Sequence, residues 1–166
     1  MDRSRLAMPL RDLVTGDIFV LTPPKKSLKA WQPLDDCVVI LFEFQNMDVD
    51  DEHTEWRILW VAGIALLRAI GHVLAKSDMM TSGKHKLEID RLWHRWKAHP
   101  DDSAIFWEFV EEERNNLLKT YEFGAALAHD ENGFYVRYGN GENAFDLFRA
   151  AVYWWRHQLM LLEDRI

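Results

Sequence analysis

The chain has 166 residues and a mass of 19.6 kDa, the size of one domain, with 48% apolar residues, 13% aromatic residues and a net charge of −7. That composition supports a folded, aromatic-packed core, excludes a disordered chain and disfavours bulk electrostatic capture of nucleic acid. A single cysteine, Cys37, excludes an internal disulfide and a cysteine-rich metal site and fits a reducing, cytoplasmic setting.

Residues 1–25 read as an N-terminal arm. Its start, "MDRSRLAMPLRDL", lacks the apolar stretch of a signal peptide, and "DIFVLTPP" is a short extended piece closed by its proline pair. Residues 27–47 are expected to form the first helix, with Pro33 near its start, where a missing N–H is tolerated. The β-branched run "CVVILFEF" within it also fits a strand. "MDVDDEHTEW" places acids at the start of a long helix running to about Ser77. Trp56, Trp60, Gly63 or Ile64, Leu67, Ile70 or Gly71, and Leu74 recur along it at helical spacing, as expected of a central helix. The segment is apolar enough to suggest a membrane span, but Arg57 and Arg68 leave only ten uncharged residues between them. A buried core helix in a soluble protein is therefore expected.

"MMTSG" is a connector, and "HKLEIDRLWHRWKAH" is a shorter amphipathic helix ending before Pro100. The next helix is expected to start at "PDDSAIFWEF", with Asp102 or Ser103 as cap, and to stop at Phe123-Gly124. Asn132-Gly133 and Asn140-Gly141 suggest a small hairpin or irregular insertion near residues 125–142, after which Asn143 caps a last helix. The fold class is thus all-α, an antiparallel bundle of four to five helices in a single domain spanning 1–166. Charge is sorted along it. Residues 84–99 hold five cations against two acids and residues 101–122 seven acids against two cations, so the two segments are expected to attract each other.

Several chemistries are excluded. The chain has no Glu-x-x-His pair for a di-iron bundle, no His-Glu-x-x-His, no P-loop and no G-x-G-x-x-G, so neither a metal nor a cofactor is expected. Arg68 and His72 lie four residues apart on one face of the central helix in an apolar context and need partners; Glu43 or an acid from residues 108–113 would serve. They form either a structural cluster or part of a site.

The stretch "FVEEERNNLLKTYEF" (109–123) carries the strongest chemical suggestion. At 100° per residue Glu108, Glu111, Glu112, Asn115, Lys119 and Glu122 form a wet face, while Arg114 shares a stripe with Trp107 and Tyr121 at the edge of the apolar face. Arginine among aromatics is both a common packing motif and the composition of an interface seam.

"RNNLLKTY" resembles the R-x4-H-x-Y motif of the HEPN superfamily, small helical bundles that include RNase toxins and antiphage factors. Arg114 matches the family arginine, Asn115 the polar residue after it and Tyr121 the tyrosine of the toxin subgroup; Lys119 stands in the histidine position. The resemblance implies metal-independent endoribonuclease chemistry in a homodimer, with the arginine and histidine of two copies facing each other across a cleft. A lysine near its ordinary pKa of about 10.4 donates a proton but does not accept one near neutrality. The expected function is therefore RNA or nucleotide-partner binding by a dimer of the toxin–antitoxin or phage-defence type, with impaired cleavage and His72 as a substitute base. Two other readings fit. One is a non-enzymatic module binding a cognate partner protein through Trp93, Trp96, Trp107, Trp154 and Trp155; the other is a small-ligand bundle with a pocket at Arg68 and His72.

Overall fold

A computed structural model describes residues 23–52, 54–139 and 141–166. The extended piece expected in "DIFVLTPP" and most of the N-terminal arm lie outside these residues. The fold is mainly helical. Helices α1 (Trp31–Asn46), α2 (Glu55–Lys76), α3 (Gly83–Ala98), α4 (Glu112–Thr120) and α5 (Ala144–Glu163) are joined by short turns, and strands β1 (Ala125–Asp130), β2 (Gly133–Tyr138) and β3 (Glu142–Asn143) separate α4 from α5. The strands form an antiparallel sheet in the order β1-β2-β3, so the expected hairpin gains a third strand and the domain is not a pure bundle. Pairing of Asp130 with Gly133 puts Glu131 and Asn132 in the turn, one residue earlier than the Asn-Gly pair suggests. Asp130 Oδ1 accepts the N–H of Asn132 and closes that turn.

Helix α2 is the centre. Trp56, Trp60, Gly63, Ile64, Leu67, Ile70, Gly71 and Leu74 are all buried, and the helix packs on α1, α4 and α5. By length and composition, α2 with the turn after it is apolar enough to cross a membrane, but its stripe is spent on the core. Two glycines let α5 approach closely. A Cβ on Gly63 would lie 2.6 Å from the Phe148 ring, and one on Gly71 would lie 3.2 Å from both Trp155 and Trp93.

The run "CVVILFEF" is helical, because its apolar residues at three- and four-residue spacing, Cys37, Ile40, Leu41 and Phe44, are what α1 buries. Burial, and Asp36 beside it, push the Cys37 thiol up, so it stays a neutral core side chain. The start of α1 has no cap from its own sequence. Two remote carboxylates supply it: Asp78 accepts the N–H groups of Lys29 and Ala30 at 2.8 and 3.0 Å, and Glu163 Oε1 accepts those of Ser27 and Trp31 Nε1 at 2.6 and 2.9 Å. The first turn of α1 is thereby tied to the ends of α2 and α5.

The tryptophans surplus to α2 are core residues. Trp96, Trp154 and Trp155 are at most 4% exposed, and Trp93 and Trp107 pack edge-on against Phe106. They do not form the exposed interface expected of a tryptophan-based partner site. Three cations of α3 have partners outside the 101–122 acids. Lys84 bonds to the Ile166 carbonyl, Arg91 to Glu88 and Arg95 to Gln158.

Alanine favours a helix over glycine by about 1 kcal/mol, whereas forcing a methyl against a packed ring costs about 1–3 kcal/mol. Gly63→Ala is expected to lose stability on balance in urea unfolding, and Gly83→Ala, with nothing within 4 Å of its Cβ, to be neutral or stabilising.

Candidate functional site

The segment leading to Arg114 is not a uniform α-helix. Pro100–Ser103 is a 3-10 turn, Ile105–Glu111 is π-helical, and only Glu112–Thr120 is α-helical. The expected cap at Asp102 or Ser103 is absent: Ser103 is buried, donating to the Trp96 carbonyl and accepting from Trp107 Nε1. Because the π segment winds more slowly than 100° per residue, Trp107 does not share a stripe with Arg114. Tyr121 leaves the stripe for a different reason. It adopts a left-handed backbone (φ 56°) and ends the helix three residues before Gly124, its N–H bonding back to Leu117.

The three glutamates have three fates. Glu111 pairs with Arg68, whose guanidinium lies over the Phe106 ring; this is one of the partners the sequence allows. Glu112 is exposed. Glu113, which the helical placement left off the wet face, is fully buried. It accepts Trp60 Nε1 at 2.8 Å and the N–H of Gly124 at 3.0 Å, and also bonds Tyr138. Burial raises its carboxyl pKa above the usual range, against the pull of these hydrogen bonds. A Cβ on Gly124 would lie 2.6 Å from both Glu113 Oε2 and Tyr138, so glycine is required there by close approach. The signal was in the sequence: Phe109, Glu113 and Leu117 are four apart, which puts Glu113 on the apolar stripe.

With Glu113 turned inward, Arg114 emerges at the edge of α4. It is half-buried, donates to Asn115 Oδ1 at 2.9 Å and has no ion pair among the described residues, despite following three acids. Lys119 is exposed, and Tyr121 is 63% exposed. His72 is exposed on α2, and among the described residues no hydrogen bond or ion pair connects it to Arg114, Asn115, Lys119 or Tyr121. The cluster as expected from sequence is therefore only partly assembled.

The structure adds a neighbouring feature. Tyr121 packs edge-on against Phe123 (5.1 Å between centroids), and the Arg57 guanidinium lies 4.7 Å over the Phe123 ring. Phe123, Trp56 and Arg57 line a cleft of about 300 Å³, with Asp50 and Asp51 at its rim and residues 125–127 of β1 along one side. Arg57 was legible only as a charge interrupting an apolar segment, since nothing local links it to a residue 66 positions away. Among the described residues no group of histidine, cysteine and carboxylate side chains is arranged to hold a metal. Comparison with known proteins finds no matching family model, curated protein or solved structure.

Glu113→Leu leaves the Trp60 and Gly124 donors without an acceptor and is expected to cost about 3 kcal/mol in denaturant unfolding. Glu113→Gln isolates the titration. The folded state holds the Glu113 proton more tightly than the unfolded chain, whose carboxyl titrates near 4.5. Wild type should therefore lose stability relative to Glu113→Gln as pH rises from 5 to 8.

Proposed function

We propose that this chain is a HEPN-like helical protein that binds single-stranded RNA, or another nucleotide-containing partner, at the exposed end of α4, with nuclease chemistry impaired. The observation that carries the reading is the aromatic and cationic group formed by Tyr121, Phe123 and Arg57, at the end of the helix that presents Arg114 and Lys119, neither of which has an ion pair among the described residues. Exposed aromatic rings accept stacked bases, and unpaired cations beside them accept phosphates. Such a site works locally, so a net negative chain can still carry it. The motif resemblance points to the same ligand class by a separate route.

Cleavage is disfavoured by chemistry. Arg114 and Lys119 are five residues apart, roughly 140° around the helix, so one copy does not converge both on one phosphate. The histidine of the family motif is also absent, and among the described residues no hydrogen bond or ion pair joins His72 to the cluster. A toxin–antitoxin or phage-defence setting follows from the resemblance alone.

In fluorescence anisotropy with a labelled single-stranded RNA, Tyr121→Ala should weaken binding roughly 5- to 150-fold, the range for one lost stacking partner. Arg57→Ala and Arg114→Ala should weaken it too and flatten its salt dependence. The wild type is expected to leave the RNA uncut without metal. RNA binding unchanged in all three variants would refute the site, and metal-free cleavage lost in Arg114→Ala would overturn the impaired-nuclease reading.

A further inference from the structure

Strand β1 is an edge of the sheet, and its pairing with β2 fixes which of its backbone groups are left over. The ladder closes on Asp130 and Gly133 around a two-residue turn, and beyond its other end Gly139 donates its N–H to the Gly124 carbonyl at 3.0 Å. Hydrogen-bonded pairs alternate along an antiparallel ladder, so Gly124, Ala126, Ala128 and Asp130 turn their backbone groups toward β2. Ala125, Leu127 and His129 turn theirs outward. Among the described residues no strand pairs with that side and no backbone hydrogen bond takes those groups.

The edge lacks the devices that keep a strand from pairing further. Ala125–Asp130 holds no lysine and no proline, its register with β2 is unbroken by a bulge, and every residue from Ala126 to Asp130 is at least partly exposed. The cleft of about 300 Å³ opens against the first half of this edge, lined there by Ala125, Ala126 and Leu127 together with Trp56, Phe123 and Asp51. Asp51 is exposed and has no hydrogen bond or ion pair among the described residues. Toward the other end of the strand His129 is exposed, with the Phe134 ring edge-on against it.

We infer that β1 pairs antiparallel with β1 of a second copy, about a twofold axis normal to the sheet at Leu127. That register joins all the outward groups in roughly six main-chain hydrogen bonds: Leu127 faces its own mate, and Ala125 faces His129 twice. Directly opposed residues project on the same side of a sheet, so in this register large meets small. His129 of the second copy lies beside the Ala125 methyl, Asp130 lies beside Gly124, and Ala126 meets Ala128. Because Ala125 lines the cleft, the imidazole enters it beside Trp56 and Phe123, and its ring N–H meets the Asp51 carboxylate. Each cleft is then completed by a residue of the other copy. An unrelated extended peptide would satisfy the same backbone groups, but β1 itself carries the small residues and the histidine at matching levels. The inference does not rest on RNA binding, since Arg114, Lys119 and Tyr121 lie outside the paired strands.

Crosslinking and sedimentation of the full chain test this. Cys37 is buried, so an added surface cysteine reacts alone. Leu127→Cys puts two thiols on Cα atoms about 5.5 Å apart, within disulfide reach, and mild oxidation should yield a covalent dimer. Leu118→Cys, exposed on α4, should stay monomeric under the same oxidation. Wild type should sediment as a dimer at roughly 100 micromolar. His129→Glu sets a like charge against Asp51 and should raise the dissociation constant about tenfold. Leu127→Pro removes an outward N–H while sparing the β2 ladder and should do the same, with circular dichroism checking that both variants are folded. A monomeric wild type at that concentration overturns the inference, as does Leu127→Cys that crosslinks no faster than Leu118→Cys. So does a dimer that neither His129→Glu nor Leu127→Pro weakens.

Discussion

The buried carboxyl of Glu113 is the constraint on which the functional surface depends. A fully buried acid is costly unless its oxygens are satisfied, and here Trp60 of α2, the Gly124 backbone and Tyr138 of β2 satisfy them. Those three partners belong to the central helix, the loop after α4 and the sheet. The carboxyl therefore sets the rotation of α4 about its axis as well as its position. Once Glu113 points inward, Arg114 must lie at the rim, Lys119 must face out, and the chain must turn before Gly124 reaches the carboxylate. The left-handed Tyr121 is where that turn is made. Its exposed ring is thus a consequence of the internal hydrogen bonds.

The same device recurs at the other end of the domain. Asp78 and Glu163 are buried at 3% and 4% exposure and take the N–H groups at the start of α1, where no local side chain caps it. Three buried carboxylates thus carry long-range connections, and each satisfies backbone donors that the packing would otherwise strand. An acid-rich chain can use its charge this way without surrendering its core. The aromatic residues complete the arrangement, with Trp93, Trp96, Phe106, Trp154 and Trp155 filling the space between α3, the π segment and α5.

Much of the helical plan was legible because α2 announces itself. Its eight buried positions follow the 3.6-residue period, and Asn143 caps α5 as its chemistry suggests. The failures have identifiable causes. A helical wheel assumes one pitch, and the π turn at Ile105–Glu111 breaks that assumption immediately before Arg114. The end of α4 was misplaced because a tyrosine, instead of the nearby glycine, adopts the left-handed conformation. Glu113 was assigned to neither face, although its spacing from Phe109 and Leu117 puts it on the apolar stripe. Arg57 and Phe123 meet only through tertiary structure, so their pairing has no local signature. The site was half visible for this reason: Arg114, Asn115, Lys119 and Tyr121 come from one stretch of chain, and their partner across the fold does not.

The central claim is that α4 and the turn after it, rather than the more basic α3, form the ligand surface. Net charge alone argues for α3, with Lys84, Lys86 and Arg91; geometry argues for the cleft beside Phe123. A two-dimensional NMR titration of the protein with a short single-stranded RNA separates the two directly. The account predicts saturable shifts confined to Arg57, Arg114, Asn115, Lys119, Tyr121 and Phe123. Shifts centred on Lys84–Arg91, or no saturable shifts at all, would contradict it.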